Sequence, residues 1–194
     1  MEKQVRVIVL ASGKGSDIIN IVYWIKEGFL KKTKLVGVIV DRLCPAFYVS
    51  KGFKVDVELY TKQGVNDLIK KLREKYQPDL LIMSGFMSIL PKKITDNFLV
   101  VNIHPSLLPK LRGKDPQRRA LKHKLPFTGV TLHIATDKLD DGPILKRAIV
   151  KIVERETEHT LCHKLQLVAS ILLLQLLQEV EKYGITRLLK RRDK

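Results

Sequence analysis

The chain has 194 residues, 45% of them hydrophobic and 29% charged, which is enough for one substantial core and describes an ordinary soluble protein. No apolar run approaches the eighteen or so residues of a bilayer span, which speaks against a membrane protein. A formal charge of +16 and a pI near 9.9 raise nucleic acid as a partner, but no zinc-finger spacing or RNP-type aromatic motif accompanies the charge and only 6% of residues are aromatic, so an enzyme of anionic substrates fits better.

Strand and helix signals then alternate without a linker, so residues 1–194 read as a single domain. The opening "MEKQVRVIVLASG" enters strand-like sequence directly, with no visible signal peptide. Residues 5–11 read as a buried strand, 17–26 as a helix and 34–40 as a second strand. A helix is expected over 65–75 and strands over 79–85 and 98–103. Residues 128–135 and 143–153 look like strands, the latter alternating enough to suggest antiparallel pairing near an edge. Residues 158–183 carry Leu161, Leu165, Val168, Leu172 and Leu176 at helical spacing and form one long amphipathic helix. The basic stretch "RLLKRRDK" at 187–194 reads as a frayed tail. The pattern implies an α/β, Rossmann-like fold: a mostly parallel twisted sheet with helices on both faces, an antiparallel edge and a long C-terminal helix.

Chemistry-bearing residues cluster where strands end. After the first strand comes "SGKGSD", in which Gly13 and Gly15 bracket Lys14 ahead of Ser16 and Asp17. Amides of such a turn and the following helix start can cradle an anion, to which Lys14 adds a point charge; alternatively the stretch is a tight turn with Ser16 or Asp17 as N-cap. The third glycine position is Ile18, so this is not a dinucleotide fingerprint, and no Walker sequence is present. Asn102 and His104 are two apart on an extended segment, so their side chains leave from one face. Asp137, Asp140 and Asp141, with Gly142 and Pro143, form an acidic loop that read alone is an exposed, solvated turn. In an open parallel sheet the loops after Ala11, Ser84, Ile103 and Ala135 could meet at the carboxyl edge. Cys44 and Cys162 lie far apart without a metal-ligand pattern, which suggests a reduced, cytoplasmic setting. "HTLCH" places His159 and His163 four apart beside Cys162, but without a third ligand motif, so no metal is expected.

The stretches "LASGKGSD", "SGFMSIL", "NIHPSLLPKLRG" and "TDKLDDGPI" follow one another in the order and spacing of the folate-dependent formyltransferases. The chain resembles that family over about residues 5–150, and most resembles its branch acting on glycinamide ribonucleotide. The resemblance implies transfer of a formyl group from 10-formyltetrahydrofolate, as co-substrate, to the amine of glycinamide ribonucleotide in purine biosynthesis. It implies a catalytic set of Asn102, His104 and Asp140, with His133 in a supporting role. The acceptor phosphate is expected at Gly13, Lys14, Gly15, Ser16 and Asp17. Phe86, Met87, Ile89 and Leu90 are expected to border the pteridine pocket, with Ala135, Thr136, Asp137 and Asp140 contacting the ring, and Leu108-Pro109 matches a cis proline. The chemistry is coherent: an amine attacks the formyl carbon, fixed donors hold the oxyanion, and a carboxylate beside an imidazole orients it and relays the proton, without a metal.

The acceptor side departs from the family pattern. Asp17 stands where an asparagine is usual and so is expected to face the phosphate with a carboxylate; Gln63 and Ser88 replace arginines, and Ala169 a ribose-binding glutamate. "KDPQRRAL" after Gly113 looks more like the corresponding loop of the branch acting on aminoacyl-tRNA. Alternatives to glycinamide ribonucleotide are therefore another amine acceptor, hydrolysis of formyltetrahydrofolate, or a basic nucleic-acid-binding protein on an enzyme fold.

Overall fold

A computed structural model describes residues 4–192. The chain forms a seven-stranded sheet of order β3-β2-β1-β4-β5-β6-β7. Its strands are β1 Val5–Ala11, β2 Thr33–Val40, β3 Val57–Leu59, β4 Leu80–Ser84, β5 Val100–His104, β6 Phe127–Ile134 and β7 Ile144–Lys151. The first five are parallel, whereas β6 pairs antiparallel with β5 and with β7. The expected mostly parallel sheet with an antiparallel edge is thus present. The strand order turns back between β1 and β4, the kind of switch point beside which open sheets bind ligands.

Both faces of the central strands are covered, which is why their sequences are nearly continuously apolar. Val7, Val9 and Ala11 of β1 pack beneath helices α1 (Ser16–Lys26) and α6 (Glu158–Tyr183), while Ile8 and Leu10 join the opposite cluster with Leu68, Leu72 and Ile94. The latter residues come from α3 (Val65–Lys71), its π-helical continuation Leu72–Tyr76, and α4 (Lys92–Asn97). α2 (Pro45–Gly52), α4, α5 (Pro116–Lys122) and β3 are elements that the sequence reading did not identify. Each is too short to display a period, although proline in the first turn marks the starts of α2 and α5.

α6 is long and apolar enough to span a bilayer by length and composition, yet Leu161, Leu165, Leu172, Leu173, Leu176 and Leu177 are buried in the core of the sheet. It starts with a reciprocal cap between Thr157 and Thr160 and ends at Gly184, whose φ of 76° suits a residue without Cβ. The expected frayed tail is instead helical over Thr186–Arg192 (α7), with Leu188 buried against the core; residues 193–194 lie outside the described residues.

Near its end α6 is tied to the entry of β2 by the carboxylate of Glu181. Glu181 accepts from the amides of Lys31, Lys32 and Thr33 at 3.1, 2.9 and 2.7 Å and from the Thr33 hydroxyl at 2.7 Å. Replacing Glu181 with alanine strips the entry to β2 of these acceptors and is expected to cost about 1–3 kcal/mol. Chemical denaturation measures it, and an unchanged midpoint would contradict this account of the junction.

Candidate active site

Alternation along β5 and β6 decides what faces what. Val101 and Ile103 of β5, with Val130, Leu132 and Ile134 of β6, enter the core under α6, so Asn102, His104, Thr131 and His133 occupy the other face. In the antiparallel register Asn102 lies opposite His133 and His104 opposite Thr131. Asn102, His104 and His133 line a cavity there, whereas Thr131 is fully buried.

The loop after β6 completes the site by a route the sequence did not suggest. Because β6 is antiparallel to β5, residues 135–140 leave beside the start of β5, with the Ala135 amide donating to the Val100 carbonyl, rather than at the carboxyl edge. The loop then folds back over the face. Asp140, in a left-handed conformation with φ 50°, is 7% exposed, so the expectation of an exposed turn residue is corrected. The return to β7 brings Gly142 so close that a Cβ there would meet the Ile134 carbonyl oxygen at 1.8 Å. Only glycine fits.

The expected catalytic residues converge. Asp140 Oδ2 accepts from the Gly113 amide at 2.8 Å and lies 3.3 Å from His104 Nδ1, while Oδ1 accepts from Asn102 Nδ2 at 3.2 Å. The other Asn102 hydrogen goes to His133 Nε2 at 3.0 Å, and His133 Nδ1 donates to its neighbour, the Ile134 carbonyl, at 3.1 Å. Exchanging the nitrogen and oxygen of Asn102 would set oxygen against the Asp140 carboxylate, so the nitrogen belongs there. His133 therefore holds Asn102 in place.

His104 stands between two acceptors, with Nε2 3.0 Å from the Leu111 carbonyl and Nδ1 facing Asp140. A neutral imidazole has a hydrogen for only one of them. Burial lowers the His104 pKa below its ordinary value against the pull of Asp140. At Asp140 burial opposes the charge, but the Gly113 amide and flanking imidazoles outweigh it and hold the carboxyl below its usual range. The resting pair is a carboxylate beside a neutral imidazole, and a second proton on His104 would complete both hydrogen bonds. This is the arrangement of a general base.

The Leu111 carbonyl is itself placed by a network. The buried Ser106 hydroxyl donates to the carbonyls of Lys110 and Leu111 at 3.0 and 3.3 Å, and Thr131 donates to the Ser106 carbonyl at 2.7 Å while accepting from the Leu108 amide. The Leu108-Pro109 bond in this loop is cis, as the resemblance implied.

A cavity of about 450 Å³ opens beside Asn102 and His104. Phe86, Met87, Ile89, Leu90, Ala135, Thr136, Asp137 and Asp140 all line it. Phe86 and Leu90 form its buried base, Phe86 edge-on to Tyr60 at 5.8 Å, whereas Met87 and Ile89 are exposed at the mouth. Lys114, Asp115, Pro116 and Gln117 line the opposite side and were not identified from sequence, although Asp115-Pro116 is a helix-start signal. Apolar walls with a few polar groups suit a flat heterocycle.

The glycine turn lies nearby at the end of β1. Gly15, with φ 78°, is the N-cap of α1, and a Cβ on it would meet Ala46 Cα at 2.9 Å. Neither Ser16 nor Asp17 caps the helix. Gly13 and Lys14 are exposed and Ser16 is half-buried, placed by a bond from Gln166 of α6. Asp17 is 6% exposed and hydrogen-bonded to Ser84 at the end of β4, so its carboxylate points into the protein and not at a ligand on the turn. The expected repulsion of a phosphate is thereby corrected. Ser12 Oγ accepts from the Met87 amide at 2.8 Å, and Ser88 donates to Asp41 at 2.9 Å, so the turn and the cavity wall are linked. Gln63 is exposed, and Ala169 is buried against the core rather than facing the turn.

Burial raises the Asp17 pKa against the opposing hydrogen bonds of Ser84 and Asn20, and its Oδ1 has no partner among the described residues. A carboxyl whose folded pKa is raised contributes stability below its unfolded pKa and loses it as pH rises through the folded value. Asp17→Asn is therefore expected to raise Tm relative to the parent at pH 8 and less, or not at all, at pH 5. A difference in Tm that does not change with pH would show that Asp17 ionises freely.

The site can be set beside known proteins. The Formyl transferase family profile matches residues 5–177. Phosphoribosylglycinamide formyltransferase of Escherichia coli K12 is 29% identical over 171 residues, covering 82% of this chain and 79% of that protein. Methionyl-tRNA formyltransferase of Wolbachia pipientis is 35% identical over 132 residues, but these cover 66% of this chain and only 44% of that protein. The crystal structure of glycinamide ribonucleotide transformylase 1 from Symbiobacterium toebii superposes with a TM-score of 0.85 at 26% identity, over 92% of this chain and 88% of that one. The matched span contains the whole sheet together with Asn102, His104 and Asp140, and the chain belongs to the formyl transferase family.

Proposed function

We propose that this protein transfers the formyl group of 10-formyltetrahydrofolate to the amine of glycinamide ribonucleotide, a step of purine biosynthesis. The observation that carries the reading is the convergence of Asn102, His104 and Asp140 on the wall of an apolar cavity. The acceptor is supported by the phosphoribosylglycinamide formyltransferase relative, matched over most of both chains, and by an exposed glycine turn leading into α1 with Asp17 turned away.

In this reading the pteridine lies against Phe86 and Leu90 and the formyl carbon meets the incoming amine beside His104. The proton released by the attacking nitrogen passes through the Asp140 carboxylate, which lines the cavity, to the unprotonated nitrogen of His104, and the imidazolium then bonds both Asp140 and the Leu111 carbonyl. Asn102 transfers the hydrogen it gives Asp140 Oδ1, the longer of its two bonds, to the oxyanion. On collapse of the tetrahedral adduct the proton returns from His104 through Asp140 to the departing folate nitrogen. The chemistry needs no metal or covalent enzyme intermediate.

A second acceptor class is favoured by one observation. The loop Lys114–Leu121, basic at Lys114, Arg118 and Arg119, belongs to the stretch whose sequence is nearer the aminoacyl-tRNA branch, and Ala169 is buried where the other branch has a ribose ligand. Incubation with 10-formyltetrahydrofolate decides between them. Loss of donor only with glycinamide ribonucleotide is the expected result, loss without any acceptor would make the protein a hydrolase, and inertness toward this acceptor with normal folate binding would favour another amine.

Two further outcomes are expected. A saturating 5-deazafolate analogue should raise Tm by binding only the native state, and no shift would remove the donor pocket from the account. Asp140→Asn should lower turnover on the order of a hundredfold or more, and also destabilise, because its carboxamide nitrogen would meet a donor at Gly113 or Asn102. Turnover within about twofold of the parent would contradict the role assigned to Asp140.

A further inference from the structure

His159 and His163 are engaged by nothing in the site described above. They lie one turn apart in the first turns of α6, both exposed, with their Nε2 atoms 3.2 Å from each other and ring centroids 4.5 Å apart. Two imidazole nitrogens at that separation, each 2.0–2.1 Å from a common ion, subtend roughly 100–106° at it, close to the tetrahedral angle. The other rings of the site are committed: His104 faces Leu111 and Asp140, and His133 faces Asn102 and the Ile134 carbonyl.

We infer that His159 and His163 form a two-histidine chelate for a divalent transition metal of the imidazole-preferring class, such as Ni²⁺, Cu²⁺ or Zn²⁺. In the metal-free pair one Nε2 carries the hydrogen that the other accepts. Binding requires that this ring keep its proton on Nδ1 instead, so that both Nε2 lone pairs meet the ion and solvent fills the remaining positions.

The place of the chelate follows from the helix stripe. Residues 159, 163, 166 and 170 share one face of α6. On that face Ser170 bonds Asn20 and Gln166 bonds Ser16, the first residue of α1, so the two helices advance together. The histidines continue the stripe beyond the start of α1, on the side of the glycine turn, and neighbouring Cys162 lies within electrostatic reach of Lys14. A bound dication adds positive charge at the rim of that turn. The metal site does not depend on the formyl-transfer reading, and its test reads binding alone.

Isothermal titration of the full chain with nickel and zinc chloride near pH 7.5 tests the inference. One equivalent is expected to bind, with affinity falling at least tenfold in both His159→Ala and His163→Ala and unchanged in Cys162→Ser. Both histidines are on the surface, so circular dichroism should be the same in every variant. Absence of binding, or binding that survives either histidine substitution, would overturn the chelate. Loss of binding in Cys162→Ser would assign the metal to the thiol instead.

Discussion

The site depends on one buried carboxylate. Asp140 joins two separate parts of the chain, the Gly113 amide after the cis-proline loop and the β5 residues Asn102 and His104. A carboxylate taken from water at 7% exposure is costly unless polar partners surround it, and here the Gly113 amide and the Asn102 carboxamide donate to it while His104 Nδ1 faces it. The same contacts leave His104 one hydrogen short of satisfying its two acceptors. One more proton on His104, at the wall of the cavity, would satisfy both.

The sheet makes this arrangement possible by treating its two faces differently. Beneath α1 and α6 the residues of β5 and β6 are apolar and close-packed, which holds the strands rigidly. On the opposite face the cover from α3 and α4 includes Val100, but Asn102 and His104 beyond it line the cavity. Antiparallel β6 then brings His133 opposite Asn102, and close backbone approach at Gly129 and Gly142 seats the neighbouring loops. A Cβ at Gly129 would meet the Ala148 carbonyl oxygen at 2.1 Å. A parallel strand in place of β6 would carry the acidic loop to the other end of the site.

Much of this was legible in the sequence where local pattern and geometry coincide. Apolar runs marked the principal strands, the leucine period marked α6, and the two-residue spacing of Asn102 and His104 placed both on one face. The direction of the loop after Ala135 was not legible, because an apolar strand reads alike in either orientation and only its partner decides. Asp140 looked like a solvated turn residue because burial comes from the loop folding over the sheet, a long-range event. Asp17 was expected to face outward, but the second position of α1 points toward Ser84, a contact 67 residues away in sequence. Ala169 shows the same limit, since its alignment with a ligand position carries no information about the buried side of α6.

The most direct test of the central claim is the protonation state of His104, followed by imidazole nitrogen chemical shifts in the ligand-free protein. The account predicts that His104 is neutral at pH 7 and titrates below the ordinary histidine value of about 6.5, and that replacing Asp140 by asparagine depresses its pKa further by removing the opposing negative charge. A His104 that titrates above that value in the parent, or is unaffected by Asp140→Asn, would contradict the claim that a buried carboxylate holds a neutral base ready to accept the proton.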